Sequence, residues 1–87
     1  MAETKEMMMR RLVYRASYTG MKETDLLLGQ FAKAHLPSLS LEELHQFEAL
    51  LDADDPSIFA WLRGDEEVPA EFDNKVFNLI KGFKVER

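Results

Sequence analysis

Few residues in this chain of 87 are equipped for chemistry, and their spacing is as informative as their identity. The two histidines, His35 and His45, are ten positions apart and lack a metal-ligand spacing such as His-x-x-x-His. Abundant carboxylates could complete a zinc or iron site only if those histidines converged in the fold. There is no cysteine, hence no thiolate ligand, no cysteine nucleophile and no disulfide framework. Ser17, Ser38, Ser40 and Ser57 lack a nucleophile-elbow context, and the four glycines form no phosphate-cradling loop. Catalytic constellations are therefore nearly absent. The segment Thr19-Gly20-Met21-Lys22-Glu23-Thr24-Asp25 carries the most information. Gly20 can cap a helix while Glu23, three residues later, reaches back to its amide, which is half of a capping box. The same junction could instead present backbone, Glu23 and the neighbouring bases to a partner.

The elements that must position this junction are helical throughout, with no sustained alternation that would argue for strands. A first helix is expected from about Thr4 to Tyr18, with Met8, Met9, Leu12, Val13 and Ala16 on its buried stripe. Gly20 interrupts, and a second helix from about Met21 to His35 aligns Thr24, Leu27, Leu28, Phe31 and Ala34 before Pro37 ends it. Ser40-Leu41-Glu42-Glu43 is a capping box that opens a third helix, burying Leu44, Phe47, Leu50 and Leu51. Asp55 is expected to cap a short fourth helix with Pro56 at its first helical position and Gly64 at its end. A fifth helix takes Phe72, Val76, Leu79, Ile80 and Phe83, with Lys81 and Lys84 suited to its C-terminal dipole. The expected architecture is an all-α, compact bundle of five short helices, one domain over residues 1–87 with frayed ends. In the fourth helix Ile58, Phe59, Trp61 and Leu62 exceed one buried face, so one aromatic there is a candidate for exposure.

Composition narrows the function classes further. Sixteen acids against eleven bases give a net charge of −5, a poor basis for general nucleic-acid binding. The longest apolar run is five residues, Ile58–Leu62, far short of a membrane span. Residues 1–22 hold five bases and two acids, whereas residues 23–80 hold thirteen acids and three bases. A basic opening on an acidic body suits one complementary partner, or simply a solvated surface. The first ten residues contain Glu3 and Glu6 and no long apolar stretch. Read as a leader, they argue against a signal or transit peptide, and so for a bacterial cytoplasm over a mitochondrial matrix.

Several short pieces, in order, resemble one known family. They are Arg11-Leu12, Tyr14-Arg15, Gly20-Met21-Lys22-Glu23, Asp25-Leu26-Leu27-Leu28 and Phe31-Ala32. Leu39-Ser40, Glu43, Phe47, Leu50, Leu51, Asp54-Asp55-Pro56, Ile58-Phe59 and Trp61-Leu62 follow. Together, over about residues 9–83, they are similar to the succinate dehydrogenase assembly factors, or flavinators. The resemblance implies a five-helix binding protein, not an enzyme. It would dock on the flavoprotein subunit of succinate dehydrogenase, or in some bacteria of fumarate reductase, and promote covalent attachment of FAD to a histidine there. It implies no tightly bound cofactor in this chain, no nucleic acid, no membrane insertion and a monomer when free. The family signature Arg-Gly-x-x-Glu places Gly20 and Glu23 at its glycine and glutamate, but Thr19 stands where the arginine is expected. The implied partner-binding residues are Gly20, Glu23 and Asp25, joined by Arg11, Arg15, Met21 and Lys22. Two readings of other classes stay open: an acidic adapter or antitoxin-like protein using Asp65-Glu66-Glu67, and a metal-dependent enzyme using His35 and His45.

Overall fold

The computed structural model describes residues 3–20, 22–53 and 55–85. Five α-helices lie among these residues: α1 (Lys5–Ser17), α2 (Lys22–His35), α3 (Leu41–Leu51), α4 (Asp55–Arg63) and α5 (Lys75–Lys81). Their ends are set by local chemistry. The Thr4 hydroxyl accepts from the Met7 amide at 3.1 Å and starts α1. Both halves of the Ser40–Glu43 capping box form: the Glu43 amide donates to Ser40 Oγ at 3.2 Å, and the Ser40 amide to Glu43 Oε1 at 2.8 Å. Pro37 falls in a 3-10 turn, Leu36–Ser38, that ends α2. Gly64 closes α4 with φ +82°, the left-handed conformation glycine adopts without a Cβ penalty.

α2 is the central element. It packs most extensively on α1 and also meets α4 and α5, while α3 lies against α1 and α5. The core is built from Leu12, Leu28, Phe31, Leu36, Leu44, Phe47, Ile58 and Ile80, all essentially inaccessible to water. Phe31 sits at its centre, 5.7 Å from the rings of both Phe47 and Phe83.

Three expectations shift. The buried face of α2 is Thr24, Leu28, Gly29, Phe31 and Ala32, whereas Ala34 is exposed. The rotation follows from a close approach of α1: a Cβ on Gly29 would lie 2.9 Å from Ser17 Oγ. The fifth helix is shorter than expected. Phe72 belongs to a separate 3-10 turn, Ala70–Phe72, because Asn74 caps α5 by accepting from the Phe77 amide at 3.0 Å. Phe83 lies beyond α5 but still reaches the core. The helix starts also move: α4 includes Asp55 and α2 begins at Lys22, so the two capping positions fall on residues 54 and 21, outside the described residues. In α4, Trp61 and Phe59 are both half-buried; Trp61 stacks on Phe72 at 5.3 Å, and the Arg63 guanidinium lies 5.3 Å from the Phe59 ring.

Candidate functional site

The turn between α1 and α2 is pinned by a single carboxylate. The backbone amide and the hydroxyl of Thr19 both donate to Asp25 Oδ1, tying the end of α1 to the first turn of α2. Asp25 therefore faces back into the turn, and Thr19, standing at the expected arginine position, supplies a hydroxyl that a guanidinium would not provide in this way. The next residue, Gly20, has φ +106°, a conformation L side chains rarely adopt. Gly20, Lys22 and Glu23 are all exposed beside it. Of the expected partner-binding residues, Gly20, Lys22, Glu23 and Asp25 thus lie together at this turn, while Met21 lies outside the described residues.

The two implicated arginines of α1 point elsewhere. Arg11 makes a fork with Glu3, Nε and Nη2 each 2.9 Å from a carboxylate oxygen, while its Nη1 lies 2.5 Å from Glu48 Oε2 on α3. The hydrogen bond from Arg11 holds the Glu3 carboxyl below the usual carboxylate range. The same contacts raise the already high Arg11 value further. Arg15 donates through Nη2 to the Leu51 carbonyl at 3.2 Å and to Asp52 Oδ1 at 2.5 Å, bracing the C-terminal end of α3. Both guanidiniums thus fasten α1 to α3. Arg10 pairs with Glu6 across one turn of α1 at 2.9 Å. Lys22 and Lys33 are exposed and make no ion pair among the described residues.

A groove of about 600 Å³ runs from this turn along α2, lined by Gly20, Lys22, Asp25, Gly29 and Lys33. Gly29 in its lining is where α2 comes closest to Ser17 of α1, a Cβ there lying 2.9 Å from Ser17 Oγ. The histidines have other surroundings. His35 stacks on Phe31 at 4.9 Å and meets Phe83 edge-on at 5.5 Å, while His45 Nδ1 is 3.8 Å from Glu48. Among the described residues no group of three or more His, Asp or Glu side chains is arranged to hold a metal ion. Asp65, Glu66 and Glu67 are exposed after α4, with Asp65 3.5 Å from Arg63. What the junction offers chemically is recognition: a glycine that permits close approach, an exposed carboxylate and unpaired ammonium groups.

Comparison with known proteins gives the family. Residues 10–84 match the family described as the flavinator of succinate dehydrogenase. The chain belongs to that flavinator family. Relatives named succinate dehydrogenase assembly factor 2, mitochondrial, include one from Dictyostelium discoideum, 38% identical over 76 residues, covering 87% of this chain and 54% of the relative. Another, from Meyerozyma guilliermondii, is 44% identical over 66 residues, covering 76% and 49%. A third, from Schizosaccharomyces pombe, is 37% identical over 82 residues, covering 93% and 59%. The chain spans about half the length of these relatives.

These names correct the expectation of a bacterial cytoplasm, since the flavinator relatives found are mitochondrial proteins of eukaryotes. The expectation rested on reading the first ten residues as the place where a leader would be. A chain that aligns with about half of its relatives gives no warrant for that reading.

Proposed function

We propose that this flavinator-family protein binds the flavoprotein subunit of succinate dehydrogenase and promotes covalent attachment of FAD to a histidine of that subunit. The observation that carries the proposal is the turn itself. Within a chain that matches the family across residues 10–84, Gly20 holds a left-handed conformation next to the exposed Glu23. That pairing allows the backbone to approach a partner closely while presenting one negative charge. FAD stays with the flavoprotein, and this chain acts by binding and positioning, without turnover of its own. Attachment needs the histidine and the reactive carbon of the isoalloxazine held in attack geometry, and holding two groups in that geometry removes much of an entropic barrier. A small helper accomplishes this by binding one conformer of the subunit better than the others.

The test removes the gene and measures covalent flavin on the succinate dehydrogenase flavoprotein by its in-gel fluorescence. Unchanged flavin across growth conditions overturns the proposal. Glu23→Ala should weaken docking in a folded protein, and Gly20→Arg should block the close approach. If Glu23→Ala only melts the domain, Glu23 is a helix-start residue and not a docking one. Thr19→Arg, tested for complementation, shows whether the threonine is a loss of function or a tolerated alternative that anchors Asp25.

A further inference from the structure

The outer face of α1 carries a surface that neither the core nor the turn accounts for. Four large apolar side chains are conspicuously exposed among the described residues, and three lie on or just past this helix: Met7 (56%), Tyr14 (70%) and Tyr18 (70%). Spacings of seven and four place them in one stripe, away from the buried stripe of Met8, Leu12 and Ala16. The two tyrosine rings lie against each other with centroids 4.8 Å apart, a preformed aromatic ledge. Beside it a second groove, about 470 Å³, passes between α1 and the end of α2, lined by Met9, Val13, Tyr14, Tyr18, Lys33 and Pro37. Ser17 and Lys33 line both this groove and the one leading to Gly20, so the two form a continuous track.

Charge says what fits. Along the track Arg10 neutralises Glu6, whereas Thr19 holds the Asp25 carboxylate without cancelling its charge; Lys22 and Lys33 are exposed and make no ion pair among the described residues. The track therefore keeps a small positive excess, two lysines against one carboxylate, on a protein whose net charge is −5. We infer that the Tyr14–Tyr18 ledge and Lys33 form a second docking element, which takes an acidic segment of the flavoprotein subunit bearing an apolar anchor side chain. This rests on the proposed function and extends its contact surface beyond the Gly20–Glu23 turn. Tyrosines are suited to the role because they offer large rigid area at small cost in rotamer entropy, and they recur among residues that dominate interface energetics. The lysine orients the acidic segment and speeds encounter.

Binding of the full chain to the purified flavoprotein subunit, measured by titration at two salt concentrations, tests this. The Tyr14→Ser/Tyr18→Ser pair should weaken binding by about tenfold or more. Lys33→Glu should weaken it and reduce its salt dependence, while Lys33→Arg should retain it. Lys81→Glu makes the same charge change on α5, outside the lining of either groove, and should stay within about twofold because salt screens charges away from the contact. Circular dichroism confirms that each variant is folded, which is expected because both tyrosines are exposed. If the wild type binds and Glu23→Ala weakens it while the tyrosine and Lys33 variants bind normally, this inference fails and the proposed function stands. If Lys81→Glu matches Lys33→Glu, the effect is one of net charge and the docking element is refuted. A wild type that does not bind the subunit overturns both.

Discussion

The contact between α1 and α2 makes a quantitative prediction at Gly29. In an ordinary helix interior, replacing glycine with alanine stabilises by about 1 kcal/mol, because alanine loses less backbone entropy on folding. Here the new Cβ would stand 2.9 Å from Ser17 Oγ, 3.4 Å from Ser17 Cα and 3.5 Å from Ser17 Cβ. Only the first distance is prohibitive. Ser17 Oγ cannot simply yield, since it donates to the Val13 carbonyl at 2.8 Å. Rotating it away forfeits that bond, a loss of about 0.5–1.5 kcal/mol, and any residual overpacking adds to this. Gly29→Ala alone should therefore be close to neutral or mildly destabilising. In a Ser17→Ala background the clash disappears, and the same substitution should stabilise by about 1 kcal/mol.

The measurable quantity is the coupling, about 1–2 kcal/mol, from urea unfolding of the four proteins of the cycle followed by circular dichroism. Thermal melts give a parallel readout, since 1 kcal/mol corresponds to about 4–8 °C in Tm for a domain of this size. Additivity within about 0.3–0.5 kcal/mol would refute the reasoning, because independent sites behave that way. So would full stabilisation by Gly29→Ala in the wild-type background, which would mean that the helices do not approach so closely.

Other consequences can be checked in the same apparatus. Ser40→Ala breaks the capping box that starts α3 and should cost about 1 kcal/mol, read as a lower urea midpoint at constant m. Gly20→Ala forces a side chain into φ +106° and should cost about 1–3 kcal/mol; an unchanged midpoint would show that the turn relaxes freely. The Glu43 carboxyl lies below its ordinary value of 4.5, first because the Ser40 amide donates to it and next because of Lys75. A depressed folded value means that its stabilisation is present above pH 4.5 and disappears as pH falls through that lower value. Tm should therefore drop below pH 4.5, and Lys75→Met, which removes a contact of 3.0 Å, should make that acid loss shallower. An identical acid profile in Lys75→Met would count against the assignment.

How much of this was legible in the sequence depends on how local each determinant is. The Ser40–Glu43 box and the Gly64 terminus were readable because every group involved lies within four residues. The start of α5 was locally encoded too, by Asn74 before Lys75-Val76, but the apolar spacing of Phe72 and Phe83 masked it. The buried face of α2 was not readable from periodicity alone. A stripe through Ala34 and one through Gly29 and Ala32 are equally apolar, and only the approach of α1 selects the latter. At the turn, Gly20 announced itself, whereas the Thr19–Asp25 clasp is a pairing over six residues that the family signature gives no reason to expect. Tyr14 and Tyr18 escaped notice as a surface because aromatic residues in a small helical chain are ordinarily assigned to its core.

Charge is where sequence and structure diverge most usefully. Arg11 and Arg15 belong to the basic opening segment, yet they reach across to Glu48 on α3 and to Asp52 just past its end, and such pairs contribute little field at a distance because their partners cancel them. Lys33 belongs to the acidic stretch of sequence, is exposed and makes no ion pair among the described residues. Along the groove between α1 and α2, the positive charges outside ion pairs among the described residues are therefore lysines of α2 and not arginines of α1. Arg15→Met tests this division. It should lower stability by less than about 1 kcal/mol, as expected for an exposed pair, and leave the association rate with the flavoprotein unchanged at low salt. Lys33→Glu should do the reverse, slowing association with no change in Tm. A slower association with Arg15→Met in a fully folded protein would return Arg15 to the docking surface and show that its clasp on Asp52 opens when the partner arrives.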